Sequence, residues 1–176
     1  MALVPMPFKR AVLYSKYQVQ TMQFVSNTKS RNHKHAICEL LEWADKCVLC
    51  TSFFDRRGFG HISDIISSGI ENRGLDITIY SNGEDGYTTP SAIKAAAALK
   101  GVKHKLINGR RLHSKIYFFE KGDTFKAMIG SANITHNGLV RNIEFSVVTT
   151  GNIGSIEHQE IQNNLLQIEK LSENSM

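Results

Sequence analysis

Residues 109–135 read GRRLHSKIYFFEKGDTFKAMIGSANIT, and the fold turns on how that stretch divides. "LHSKIYFFE" (112–120) and "FKAMIGS" (125–131) are strand-length runs, and "KGDT" between them has turn composition, so the spacing predicts a β-hairpin. Upstream the texture differs. "NHKHAICELLEWADK" (32–46) carries Ile37, Leu40, Leu41 and Ala44 at helical spacing, and the mostly apolar "CVLCTSFF" (47–54) has strand length. "GHISDIISSGIENRG" (60–74) reads as a helix ending near Gly74, and "LDITIYS" (75–81) as a strand rich in β-branched residues. After the turn-like "NGEDG", Thr89 is placed to cap a helix with Pro90 at its first position, running to Gly101. "KHKLIN" (103–108) and "EFSVVTTG" (144–151) add strands, and Ile161, Leu165 and Ile168 form one stripe of a closing helix, Ile156 to Leu171. Helices alternating with strands early, and a hairpin late, predict an α/β fold: an α/β/α sandwich around a central mixed β-sheet.

The chain has 176 residues, enough for one domain over 1–176 that buries roughly 70% of its unfolded surface. No run approaches the ~18 apolar residues of a membrane span. Pro5 and Pro7 break the apolar stretch of "MALVPMPFKRAVLY", which is not read as a signal peptide, and three cysteines fit a reducing compartment; a cytoplasmic protein is expected. The net charge is +5, and "KHKLINGRRLHSK" (103–115) alone contributes Lys103, Lys105, Arg110, Arg111 and Lys115 without an acid. Beside a candidate catalytic histidine, such a run points to a polyanionic substrate.

That histidine is His113. On a strand, side chains two apart share a face, so His113 and Lys115 are expected to project together. Attack on a phosphodiester needs a nucleophile or base, cations for the nonbridging oxygens and a donor for developing charge. His113, Lys115 and the amide of Asn133 are those three types. An imidazole nucleophile also needs an acceptor on its far nitrogen, for which Glu144 is the candidate, and Ser131 is a further hydroxyl donor.

With these residues the sequence resembles the phospholipase D superfamily, whose signature runs His-x-Lys, four residues, Asp, then Gly-Ser-x-Asn. "HSKIYFFE" departs from it once, with Glu120 in the aspartate position, which in the family is mainly structural. The separations from His113 to Lys115, Asn133 and Glu144 look like those of the metal-independent nuclease branch, in particular of the catalytic domain of phospholipase-D-type restriction endonucleases. The resemblance implies that His113 forms a phosphohistidine intermediate, that Lys115 and Asn133 hold the nonbridging oxygens, and that Glu144 orients His113. It also implies a second histidine for the leaving group. The chain has one His-x-Lys motif, since "NHKH" near residue 33 has no Gly-Ser-x-Asn downstream, so the expectation is a homodimer with both His113 residues at one shared site. No metal and no cofactor is expected.

Arg110 and Arg111 are candidate substrate-binding residues, as are Arg56 and Arg57 in "RRGFGH" (56–61), where a strand meets a helix start. Cys47 and Cys50 read as core cysteines with sulfurs on opposite faces, not as zinc ligands. His35 and Cys38 read as helix surface, and His61, His104 and His136 as surface or loop residues. The expected function is DNA cleavage within a restriction-modification system. A phospholipid hydrolase or transferase, or an RNA-cleaving nuclease of the same superfamily, is the alternative, and an idle nucleic-acid-binding module a third reading. The sequence carries no amphipathic segment of the kind a lipid enzyme favours, so no membrane partner is expected. The resemblance further implies a separate C-terminal DNA-recognition domain, missing from this chain, and a helicase-like ATPase as a further partner.

Overall fold

In the computed structural model, which describes residues 21–28 and 31–173, the hairpin forms from β5 (Ile116–Lys121) and β6 (Thr124–Gly130). Gly122 turns it with φ +53°. The amino-terminal segment weighed above as a leader, residues 1–20, lies outside the described residues.

Among the described residues, seven strands form one mixed sheet in the order β1-β7-β6-β5-β2-β3-β4. β2 (Lys46–Thr51), β3 (Asp76–Asn82) and β4 (Val102–Ile107) are parallel, linked by helical crossovers. β5, β6 and β7 (Phe145–Asn152) run antiparallel to their neighbours. The remaining edge is β1 (Thr21–Ser26), antiparallel to β7; the sequence reading had not found it.

The helices are α1 (His33–Trp43), α2 (Arg56–Gly60), α3 (Ser63–Arg73), α4 (Pro90–Ala98) and α5 (Ile156–Glu173). The stretch 60–74 is therefore not one helix: α2 is a short element of its own, capped by Asp55, whose carboxylate accepts the Gly58 N–H at 2.6 Å. Thr89 caps α4, accepting the Ala92 N–H at 3.2 Å, and Gly74, at φ +68°, closes α3.

Each face of the sheet buries its own core. Leu49, Ile77, Ile79, Tyr117 and Phe119 meet Ile37, Leu41, Phe59, Ile66 and Ala96 of α1 to α4 on one side. Phe118, Phe125, Ala127 and Tyr80 meet Leu165 and Ile168 of α5 on the other. Each fully buried side chain of this kind contributes about 1.5–3 kcal/mol. Cys47 and Cys50 fall into opposite cores, and burial pushes the Cys50 thiol up to about 12. The architecture is the expected α/β/α sandwich. No helix of the described residues is long and apolar enough to cross a membrane.

The topology gathers one edge of functional interest. The carboxyl ends of parallel β2, β3 and β4, the start of β5, the end of β6 and the start of β7 all lie at the same end of the sheet. Carboxyl ends of parallel strands are where open α/β sheets bind ligands.

Candidate active site

His113 and Lys115 sit in an extended segment immediately before β5, not within it. The ladder reaches only as far as Lys115, whose carbonyl accepts the Gly130 N–H at 3.3 Å. His113 is thereby exposed at the sheet end. The Lys115 ammonium donates to the His113 carbonyl at 2.8 Å and lies 3.4 Å from each ring nitrogen of His113. Partial burial lowers the Lys115 pKa, with the charge of Glu144 opposing the shift.

Asn133 is held by its oxygen. The N–H groups of Phe53 and Ser52 donate to Oδ1 at 2.9 and 3.2 Å, and the Thr51 hydroxyl lies 3.3 Å away. With two backbone donors on Oδ1, the amide nitrogen is the end left for a ligand. Neighbouring residues fix the loop. The hydroxyl of buried Tyr117 donates to the Ala132 carbonyl at 2.6 Å, and the Ile134 N–H donates to Thr51 at 3.0 Å. Gly130 opens "GSAN" because there is no room for more: a Cβ there would lie 2.2 Å from Ser146 Oγ and 2.4 Å from the Phe145 carbonyl. The glycine of the motif is thus a packing requirement of the β6–β7 pair.

Glu144 precedes β7, and the Ser131 hydroxyl donates to its Oε2 while Asn142 donates to Oε1 at 3.1 Å. The Ser131 oxygen accepts the Phe145 N–H at 3.1 Å. The single hydroxyl proton of Ser131 is committed to Glu144 rather than free for a phosphate, and Glu144 makes no hydrogen bond to His113 within this chain. His113, Ser114, Lys115, Ile116, Ile129, Gly130 and Ser131 line an open cleft of about 450 Å³.

The cationic run is largely neutralised. Lys103 pairs with Asp76 at 2.7 Å, Arg111 with Glu84 at 3.0 Å, and Lys105 lies 3.9 Å from Glu169. Among the described residues, Arg110 and Lys115 have no carboxylate within ion-pair distance. Arg110 and Arg111 line a second cleft, about 390 Å³, that also reaches His113. Arg56 and Arg57 are not brought to it: they line a separate cleft of about 730 Å³ between α2 and α4, with Lys94.

Glu120, the departure from the signature, accepts from His158 at 3.0 Å and Gln162 at 3.2 Å and pairs with Lys46 at 3.1 Å. Burial opposes its ionisation, but these partners outweigh it and hold its pKa below the ordinary glutamate value. It ties α5 to the sheet and takes no part in the cleft.

Several histidines differ from the sequence reading. His104 is mostly buried on β4, bonded to Ser81 at 2.8 Å, and desolvation lowers its pKa to about 4. His61 and His136 form a hydrogen-bonded pair at 2.8 Å with stacked rings, and burial lowers the His61 pKa. His33 is fully buried behind the site, bonded to Asn27 at 2.7 Å and to Ser146 at 2.9 Å; burial lowers its pKa although Glu144 acts against that. His35 is exposed as expected, while Cys38 is half-buried, its thiol 3.7 Å from the His61 carbonyl.

The fold is shared with solved structures of low sequence identity. A phospholipase D family member, Nuc from Salmonella typhimurium, superposes with a TM-score of 0.64 at 18% identity, covering 86% of this chain and 93% of its own. NucT from Helicobacter pylori gives 0.66 at 15% identity, covering 88% and 96%. Polyphosphate kinase from Porphyromonas gingivalis gives 0.59 at 8% identity over 86% of this chain and 26% of its own, so the fold alone does not select one chemistry. No curated protein sequence matches the chain. One family matches in sequence, the NgoFVII restriction endonuclease N-terminal PLD domain, over residues 70–174, which include His113, Lys115, Ser131, Asn133 and Glu144. With the signature residues gathered at one end of a phospholipase-D-type sheet and that match spanning more than half its length, the chain belongs to the family of NgoFVII restriction endonuclease N-terminal PLD domains.

Proposed function

We propose that this domain cleaves DNA as the catalytic part of a restriction endonuclease, through a phosphohistidine formed at a site that two copies complete. The observation that supports it most is an exposed imidazole in contact with an ammonium, at the same end of the sheet as an amide whose oxygen is already occupied. A nitrogen of His113 attacks phosphorus, forming a P–N bond as the P–O bond to the leaving strand breaks. Lys115 and the amide nitrogen of Asn133 hold the nonbridging oxygens. The second copy's His113 gives its proton to the departing oxygen; water then attacks phosphorus, returns a proton to that histidine and releases the first.

The need for a second copy has a surface to match. Met22, Phe24, Ile129 and Phe145 are exposed on the face of the sheet that α5 leaves uncovered, with Ile143 nine-tenths exposed beside Glu144. Phe24 stacks on Phe145 at 5.5 Å. Such a patch beside a half-site fits an isologous contact between identical chains. It would also bring the partner's Glu144 toward His113 as the acceptor that its own chain does not supply. The same apolar field would suit a lipid surface, which is why the deciding experiment has three arms.

That experiment is incubation in EDTA with plasmid DNA, with RNA and with phospholipid vesicles. Cleavage of DNA without added metal is the expected result. Strict rescue by magnesium, or turnover of lipid alone, would reject the reading. DNA-recognition and ATPase partners belong to the same proposal.

A further inference from the structure

Phe53, Tyr87 and Arg111 form a continuous stack that the catalytic scheme does not use. The rings of Phe53 and Tyr87 lie 4.6 Å apart at 29°, and the Arg111 guanidinium sits over Tyr87, 5.2 Å from its centroid. Phe53 remains 39% exposed although its neighbour Phe54 is fully buried. The stack is rigidly mounted. The Phe54 N–H donates to the Tyr87 carbonyl at 3.0 Å, Glu84 holds Arg111, and the Phe53 N–H is itself one of the anchors of Asn133. Its position is also defined. Phe53 follows β2 and His113 precedes β5, and the last rung between those strands, Cys50 with Ile116, puts both at the same end of the sheet.

An exposed aromatic face beside a guanidinium, on a residue whose own N–H holds the proposed phosphate donor Asn133, suits a flat π system joined to a phosphate. We infer that Phe53, backed by Tyr87 and Arg111, is a stacking platform for an unpaired nucleobase next to the scissile phosphate, so that the site takes its substrate as a locally unstacked or single strand. The inference rests on the nuclease reading above and narrows its substrate class.

The test uses the full chain carrying His113→Ala, to block turnover, and fluorescence anisotropy with a labelled 12-nucleotide single strand, the same strand made abasic, and its duplex. Stacking on an aromatic side chain predicts that the base-bearing strand binds about 10-fold tighter than the abasic one. Phe53→Ala should erase that difference while leaving abasic affinity in place, and Phe53→Leu, which keeps bulk without a ring, should behave as Phe53→Ala. Equal binding of base-bearing and abasic strands by the parent overturns the platform and needs no variant to fold. Equal weakening of both strands by Phe53→Ala, with loss of dimer in sedimentation, overturns it in favour of a contact between copies. The nuclease reading fails separately, if the chain with His113 intact cuts no nucleic acid.

Discussion

The Phe53 N–H donates to the Asn133 side-chain oxygen at 2.9 Å and thereby fixes the amide by its oxygen, leaving the nitrogen as the end to meet a ligand. Asn133→Asp keeps an oxygen for Phe53 and Ser52 but replaces the outward donor with a second carboxylate oxygen, which repels a phosphate. Activity should fall by about 100-fold or more, in the range lost with other transition-state donors, while thermal stability stays near wild type. Asn133→Ala should lose activity as well and also stability, by about 1–3 kcal/mol, because two backbone donors lose their acceptor. Thermal melts beside cleavage rates separate the effects; an active Asn133→Asp would remove Asn133 from the chemistry.

His113→Ala should abolish cleavage and leave the fold intact, since its ring is exposed and supports no core contact. Lys115 gives a finer test. Burial lowers its pKa, so its ammonium loses a proton at a lower pH than an ordinary lysine and the phosphate loses its cation. Activity should therefore decline on the alkaline side as pH rises through that lowered value. Lys115→Arg stays charged throughout this range; whatever activity it retains should lack the alkaline decline. An identical pH profile in both proteins would show that some other group sets it.

The apolar field makes association testable apart from chemistry. Phe145→Asp places a charge where Phe24 now stacks, on a side chain 56% exposed and so dispensable to the monomer core. Sedimentation should show a dimer for the wild type at micromolar concentration and a shift toward monomer in the variant, with cleavage lost in parallel. Full activity in a monomeric Phe145→Asp protein would contradict a shared site.

Much of this molecule was legible before its structure, for local reasons. Thr89-Pro90 and Gly74 punctuate helices through capping and left-handed backbone, and Cys47 and Cys50 segregate by strand parity alone. Features that depend on distant partners were not. β1 is recognised as a strand by its pairing with β7, about 125 residues away in sequence, and its outward Met22 and Phe24 give no buried alternation. His104 reads as a surface or loop residue, yet it alternates with paired Lys103 and Lys105 and turns inward against Phe54. The Glu144 partners likewise follow from where residues 131 and 142 are folded, which spacing to His113 does not encode.

The buried histidines carry the last prediction. His104 has a folded-state pKa near 4, depressed by desolvation, against roughly 6.5 in an unfolded chain. Between those values the unfolded chain binds the proton and the folded protein does not, so stability is full above about pH 6.5 and falls as pH drops toward 4, with a slope of at most about 1.4 kcal/mol per pH unit from this residue. His33 and His61, both lowered by burial, act in the same direction. Glu120, also depressed, adds a loss that begins only below the ordinary glutamate range. His104→Gln removes the titrating group and keeps a polar partner for Ser81. Chemical denaturation at pH 7.0 and 5.0 should show a smaller loss for His104→Gln than for the wild type, whatever the variant's stability at pH 7.0. An unchanged difference between the two pH values would mean that His104 is protonated as readily in the fold as out of it.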